Sequence, residues 1–490
     1  MNCIATFDIG TTAIKGVLIG MDNTIIRAES RKIDTFFHNE KIEQDPNSWY
    51  TAFCEISNLF VRAKPQHKIE AIIMSGQMQN LIPIRKNGDP SSNAILYSDG
   101  RANREAEKIS AALGKETIRK ITGNRLDGAT PFAKLLWLKD MSPDVFNQTD
   151  CVLFSSKDFI IRKLTGNCVT DITTGSTTGL MDILSKEWQV EWINRFGFSS
   201  SLLPKVTSSD EIVGEVIESA SIETGYSSGT LVFSGSGDAG SATLAGAVIA
   251  ANDFNINIGT TGWIATASEK PLDNPSVFNL AAIPSQTYIN VVPFLNAGNV
   301  HQWISKILSS QERAINYDEV HRLLLDGTPG SSGLLFLPYI IGERFPVMNN
   351  SVRGLFAGIS ASTSKTDLAQ AALEGVAFSI RQGLETINKS VQKMTVVGGG
   401  TKEMCWMKIL SNILNQELIV FSNADFLPAI ALSVSGKIGL GKEKNYAGFI
   451  EYLTDSCPAE RYTPDNKLTS MYEERFRQFL KLYPLATQLG

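Results

Sequence analysis

The sequence is poor in cysteine and histidine and has no charge excess of the kind that marks a nucleic-acid binder. Six cysteines in 490 residues, none in a C-x-x-C pair, exclude a disulfide-framed secreted fold and point to free thiols in a reducing compartment. The four histidines, His38, His67, His301 and His321, are dispersed and no H-E-x-x-H occurs, so spacing indicates no metal cluster. With 45 Lys and Arg against 50 Asp and Glu, the chain lacks the broad positive field that holds a phosphate backbone, which argues against nucleic acid as a partner. No apolar run approaches the ~20 residues that span a bilayer. The opening MNCIATFDIG has no basic segment leading into a long apolar stretch and a small-residue cleavage site. The expectation is a cytoplasmic protein without membrane attachment.

What the chain does have is apolar mass and an internal echo. Hydrophobic residues make up 43% of it, enough for sizeable cores, and its length suggests roughly two to four domains. FDIGTTAIKGVLI begins at Phe7 and INIGTTGWIATA at Ile256. The shared I-G-T-T predicts two related domains, 1–248 and 249–490, joined near residue 250. In each copy an apolar strand runs into Gly-Thr-Thr and a second strand follows, the pattern of a β-hairpin. One such turn is explained by glycine's freedom at positive φ and threonine's local hydrogen bonding. Two copies half a chain apart point instead to paired ligand-facing loops. Gly and Thr offer N–H groups and hydroxyls to phosphate oxygens without side-chain bulk.

The rest of each half alternates strand-like and helix-like segments, which predicts an α/β fold. Lys68 to Ser75 reads as a buried strand ending at Gly76-Gln77-Met78-Gln79-Asn80. Leu231 to Ser234 leads into GSGDAG and a small-residue helix from Ser241 to Ala251. Met394 to Val397 runs into Gly398-Gly399-Gly400-Thr401 and a helix through Asn415. On that helix Trp406, Ile409, Leu410, Ile413 and Leu414 form a core-facing stripe. A nicotinamide-binding dehydrogenase is the first rival, since Gly235 to Gly240 matches G-x-G-x-x-G. It fails because Asp238 would put a carboxylate where the pyrophosphate belongs. Gly436 to Lys442 fits seven places of a P-loop, but Glu443 stands where Ser or Thr should ligand Mg²⁺, so a loop or helix end is expected.

Asp238, in a Gly and Ser turn after a buried strand, reads as an N-cap, as a base pointing into an α/β crevice, or as both. Asp8 of the first repeat is replaced by Asn257 in the second. One hairpin is thus acidic and suited to Mg²⁺, the other neutral and suited to phosphate. Positioning, metal neutralisation and a carboxylate that accepts a hydroxyl proton are what phosphoryl transfer needs.

Taken in order, these segments resemble the FGGY carbohydrate kinases, of the sugar kinase and actin superfamily. FDIGTTAIKGVLI is similar to their first phosphate hairpin, SGQMQNLI to the sugar loop, and YSDGRANREA to the segment after it. GSGDAGSATLAGAV is similar to the catalytic stretch, NINIGTTGWIA to the second phosphate hairpin, PYIIGERFPVMNNSVRGLFAGIS to the second-domain signature, and VVGGGTKEMCWMKILSNIL to the adenosine motif. The resemblance implies two ribonuclease-H-like domains that close over a catalytic cleft, and transfer of the γ-phosphate of ATP to a sugar hydroxyl. It implies that Asp238 is the base, that Asp8 and Asp238 hold Mg²⁺, and that Gln77, Met78, Gln79, Asp99 and Asp238 meet the sugar. Gly10, Thr11, Thr12, Gly259, Thr260 and Thr261 would face the phosphates, and Gly399, Gly400 and Thr401 the adenosine. Family members are often dimers, which leaves a homodimer open, although the sequence carries no interface signal.

Within the family, length and spacing resemble the xylulokinases most, which implies D-xylulose as acceptor. Gln79 replaces their usual histidine, Tyr97 and Ser98 their tryptophan and asparagine, and Ala431 a usual glycine. Ala431 is expected to alter helix packing near the adenosine end. GERFPVMNNSVRG also resembles the gluconate kinases, so gluconate or another pentulose stays open as acceptor. A silent sugar-binding regulator is the alternative of another class, and it would be free to lose Asp238.

Overall fold

The repeat in the sequence is a repeat of topology. In the computed structural model, which describes residues 2–488 apart from 39–40, 64–66, 284–285, 311–313, 350, 388–389, 423–425 and 454–456, each Gly-Thr-Thr joins two antiparallel strands. The first hairpin pairs Asn2–Ile9 with Ala13–Gly20 and sets Asp8 opposite Lys15. The second pairs Asp253–Ile258 with Gly262–Ser268 and sets Asn257 opposite Trp263. In each, the leading strand also pairs in parallel with a strand from later in the chain, Lys68–Gly76 for the first and Lys393–Val397 for the second. A strand flanked on both sides and covered on both faces must be apolar almost throughout. Ile4, Ala5, Phe7 and Ile9 are accordingly all buried.

The chain divides into two compact α/β units, which are not contiguous halves. The first comprises Met1–Ala245, Ser268–Asn290 and Phe426–Tyr452; the second comprises Gly246–Ala267, Val291–Asp425 and Leu453–Gly490. This differs from a single division between residues 248 and 249, and side-chain packing gives the reason. In the first unit the sheet runs in the order Ile212–Glu215, Leu231–Phe233, Lys68–Gly76, Asn2–Ile9, Ala13–Gly20, Ile25–Lys32, with Ser236–Gly237 also pairing with Lys68–Gly76. One face packs Phe7, Ile72 and Met74 against Phe53, Ile56 and Phe60 of helix Pro46–Ala63. The opposite face, with Ile4, Ala71, Ile73 and Phe233, is closed by Leu432 of helix Leu427–Gly439. Ala431 is fully buried in that helix, which belongs to the first unit. The P-loop-like Gly436 falls inside the same helix and Gly441 just beyond it, the helix end expected for that motif.

In the second unit Leu418–Phe421 continues the sheet in parallel beside Lys393–Val397, and Ala459–Tyr462 closes it antiparallel. Helix Met404–Leu414 buries the expected stripe of Trp406, Ile409, Leu410, Ile413 and Leu414. Trp406 Nε1 donates to the Leu373 carbonyl at 3.2 Å, satisfying the one polar atom of a large buried ring. Among the described residues no helix is long and apolar enough to cross a membrane.

Because Leu432 seals a face of the first sheet, Leu432→Ala should lower unfolding free energy by about 2–5 kcal/mol. The urea midpoint with unchanged m-value is the measurement. A loss under ~1 kcal/mol would show that the sheet does not depend on this helix.

Candidate active site

Parallel strands release their loops at their carboxyl ends, and three loops of the first unit leave side by side there. Strand Lys68–Gly76 lies between Asn2–Ile9 and Ser236–Gly237, with Ser75 level with Asp8 and Ser236, and Gly76 level with Ile9 and Gly237. Asp8 and Asp238 therefore flank the loop that begins at Gln77. The helix after GSGDAG starts at Asp238 and ends at Ala245, earlier at both ends than the predicted Ser241 to Ala251. Asp238 Oδ1 accepts from the Ala239 N–H at 2.8 Å. Gly235 has φ +67°, and a Cβ there would stand 1.8 Å from the Met74 carbonyl oxygen. Only glycine lets the chain cross that strand and deliver Asp238. The G-x-G-x-x-G glycines are thus explained by packing, without a dinucleotide.

The two carboxylates are half-buried. Burial, then the charge of Asp8, pushes Asp238 up to about 7, against the opposing Ala239 N–H. Asp8 is raised too, by burial, although the Ser75 hydroxyl at 3.0 Å and the charge of Lys15 oppose it. Groups coupled in this way titrate as a pair.

Sequence reasoning missed the group that holds this arrangement. Lys157, wholly buried, sets its Nζ 2.7 Å from Asp158 Oδ1 and 3.0 Å from Asp171 Oδ2. Asp171 caps the short helix Ile172–Gly175 through the N–H groups of Thr173 and Thr174 at 2.9 and 3.1 Å, and accepts the Thr174 hydroxyl at 2.6 Å. The same Oδ1 accepts the Gly237 N–H at 3.2 Å, one residue before Asp238. The available sequence signal was D-x-T-T, a capping pattern; its reach to Gly237 was not local.

The expected sugar-facing residues divide by how free they are. Gln77 is committed: its Oε1 accepts the Thr11 hydroxyl at 3.1 Å and its Nε2 donates to Gln44 Oε1 at 2.8 Å. It ties the Gly10-Thr11-Thr12 turn to the loop that begins at Gln77. Asp99 is fully buried under Arg101 and the Ile42 N–H, the latter at 2.7 Å. Burial alone would raise it, but these partners hold it below the usual carboxylate range. Met78 and Gln79 are half-buried. Gln79 adopts φ 59°, and its amide reaches only the Thr177 carbonyl at 3.5 Å. The Gln79 carbonyl is held by Lys134 Nζ at 2.9 Å. Lys134 is a second residue the sequence did not single out; burial lowers its amine to about 7.

The remaining expected residues lie on the second unit. The carbonyls of Gly259 and Thr260 are taken by the N–H groups of Gly298 and Asn299 at 2.8 and 3.0 Å, while Thr260 and Thr261 are exposed. Gly398, at φ +96°, crosses the Ile258 carbonyl, which would lie 2.6 Å from a Cβ, as Gly235 crosses Met74. Thr401 donates its hydroxyl back to the Gly398 carbonyl at 2.8 Å. Gly399 and Gly400, expected to act together, differ. Gly399 faces open space, whereas a Cβ on Gly400 would press on Ile258 at 2.4 Å.

Residues 3–245 match the N-terminal domain, and residues 254–427 the C-terminal domain, of the FGGY family of carbohydrate kinases. The chain belongs to that family. It is 28% identical to the xylulose kinase of Staphylococcus xylosus over 424 residues, covering 85% of this chain and 86% of the relative. It is similar throughout, at 100% of both chains, to the ligand-bound xylulose kinase structure from Lactobacillus acidophilus, with TM-score 0.91 and 25% identity. The gluconate kinase structure from the same organism is similar to the same extent, with TM-score 0.90, 25% identity and 100% coverage of both chains. The motif shared with gluconate kinases includes Asn350, which lies outside the described residues.

An FGGY carbohydrate kinase must bring a sugar hydroxyl and a nucleotide polyphosphate together. Asp8 and Asp238 offer only oxygen donors, half-buried and raised in proton affinity chiefly by burial, which fits a hard divalent cation such as Mg²⁺.

Two outcomes follow from these electrostatics. Asp238 binds its proton more tightly folded than unfolded, so it costs stability as pH rises from about 4 through about 7. Asp238→Asn should therefore melt above the wild type at pH 8 and match it near pH 4, by thermal denaturation across pH. An Asp238→Asn protein with the same pH dependence as the wild type would refute the raised affinity. Asp171→Asn, which removes the charge opposite Lys157 and weakens the hold on Gly237, should lower kcat at least ~10-fold with little change in sugar KM. Steady-state kinetics on the folded variant tests this, and an unchanged kcat would remove Asp171 from the positioning role.

Proposed function

We propose that this chain is an ATP-dependent kinase that converts D-xylulose to D-xylulose 5-phosphate. The observation that carries the phosphotransfer chemistry is the pair of Asp8 and Asp238 at neighbouring strand ends, with Asp238 poised near neutrality. A base is most effective when its proton affinity matches the working pH. Asp238 takes the proton of the sugar hydroxyl as that oxygen attacks the γ-phosphate. Asp8 and Asp238 hold Mg²⁺, which when bound neutralises charge on the polyphosphate. Thr12, Thr260 and Thr261 supply hydroxyls to the phosphates, Thr11 holds its turn through Gln77, and the open Gly399 surface lies against the adenosine. Gln79, with the least committed amide of the sugar loop, is the residue most able to read acceptor hydroxyls. Its neutral amide in place of an imidazole cannot titrate. The six free thiols support a cytoplasmic setting.

D-xylulose is supported by the likeness to xylulose kinases along the whole chain. Gluconate is the second reading, favoured by the GERFPVMNNSVRG segment and the equally extensive likeness to a gluconate kinase. Retention of Asp238 with both hairpins weighs against a silent regulator.

ADP release measured with Mg-ATP across D-xylulose, L-xylulose, D-ribulose, L-ribulose, gluconate and glycerol separates the readings. D-xylulose should give the highest kcat/KM, and Asp238→Ala should lower turnover by about two to four orders of magnitude. Turnover of gluconate alone would replace the acceptor. Sugar binding without turnover would favour the regulator. For the nucleotide surface, Gly399→Val should raise KM for ATP severalfold without changing the melting temperature. Gly400→Val should lower the melting temperature through Ile258. The reverse pattern would move the nucleotide away from Gly399.

A further inference from the structure

The second unit gathers nitrogen, oxygen and sulfur donors at a point outside the loops assigned above. His321 lies on helix Tyr317–Leu325, Glu403 caps helix Met404–Leu414, and Cys405 is in that helix's first turn. Their ligand atoms all lie within 4.8 Å of one another. His321 Nδ1 is 2.9 and 3.2 Å from the two Glu403 oxygens. Nitrogen and oxygen ligands on one tetrahedral zinc ion, each about 2.0–2.2 Å from it, stand about 3.3–3.5 Å apart. The histidine and carboxylate are therefore already close to that spacing. Glu403 is buried, while His321 and Cys405 are half-buried, so the group is anchored on one side and open on the other. The dispersal of histidines along the sequence gave no hint of this grouping.

A separate observation marks the same place. His301 is 8% exposed, and its Nε2 has no hydrogen-bond partner among the described residues. Its ring lies 4.9 Å from that of Tyr317, at the start of the His321 helix, and 5.6 Å from that of Trp406, next to Cys405. Burial lowers its proton affinity, against the opposing charge of Glu403. A buried imidazole nitrogen without a partner is costly unless something supplies one.

We propose that His321, Glu403 and Cys405 form a binding site for a borderline-soft divalent cation of the zinc class, with His301 as the unpartnered imidazole beside it. A mixed N, O and S donor set favours Zn²⁺ or Co²⁺ over Mg²⁺, which prefers oxygen alone. On binding, the Cys405 thiol releases its proton to solvent. The His321 proton moves to Nε2, freeing Nδ1 as the donor, and Glu403 gives a carboxylate oxygen. The ion would join helix Tyr317–Leu325 to the end of the turn Gly399–Lys402. The site does not depend on which sugar is phosphorylated.

The test uses the full chain, stripped with a chelator, dialysed and titrated with Co²⁺ in the presence of excess Mg²⁺. One equivalent should bind with a thiolate-to-Co²⁺ charge-transfer band in the near ultraviolet, and Zn²⁺ should displace it. Cys405→Ser should lose the band, His321→Gln should weaken Co²⁺ binding at least tenfold, and Cys168→Ser should behave as wild type. Zn²⁺ should also raise the melting temperature of the wild type and not of Cys405→Ser. Absence of stoichiometric binding, or a band that survives in Cys405→Ser, overturns the proposal. Should Cys405→Ser fail to fold by circular dichroism, His321→Gln decides, and an unchanged affinity overturns it.

Discussion

A lysine ammonium sealed from water between two carboxylates is the constraint on which the reactive end of the first unit depends. Lys157 cannot leave Asp158 or Asp171 without stranding a buried charge, a loss of about 3–5 kcal/mol for such pairs. Asp171 in turn uses its remaining lone pairs on donors from a short helix and from Gly237. The ion pair thereby fixes the backbone immediately before Asp238. Its electrostatic effect points the same way, because the negative charge of Asp171 is among those that raise Asp238. One buried network both aims the carboxylate and tunes it.

The two units show how one topology supports two chemistries. Each places a Gly-Thr-Thr hairpin beside a parallel strand, and in each a glycine crosses a neighbouring carbonyl, Gly235 over Met74 and Gly398 over Ile258. The difference lies in single side chains. Asp8 has Ser75 level with it and a charge to share with Asp238, whereas Asn257 has Val397 at the corresponding position. The first unit sets two half-buried carboxylates at neighbouring strand ends, the second exposed threonines and open backbone.

What could be read from the sequence was whatever is encoded within a short span. Each hairpin, the buried stripe from Trp406 to Leu414 and the turn that presents Asp238 all announce themselves within a short local run. The hold of Asp171 on Gly237 spans 66 residues, and that of Thr11 on Gln77 also spans 66; no local pattern reports either. The family resemblance named Asp99 and Gln77 as sugar contacts, but no local pattern reported the protein partners they hold. The fold had already assigned their hydrogen bonds to Arg101, Thr11 and Gln44. Likewise, nothing in the run from Leu427 to Val434 tells which sheet it covers. Its apolar character is plain, but its destination depends on Ile4, Ile73 and Phe233.

That destination bears on how the protein is made. The sheet formed by the first residues of the chain keeps one face bare until the helix Leu427–Gly439 has been synthesised. At ribosomal speeds of about 5–20 residues per second, an apolar surface around Ile4, Ile73 and Phe233 waits tens of seconds for its cover. The amino-terminal unit therefore cannot complete its core as an early, independent product of translation. Its maturation is tied to nearly the whole length of the chain, and a ribosome stalled before residue 427 would leave an exposed sheet face for chaperones to bind.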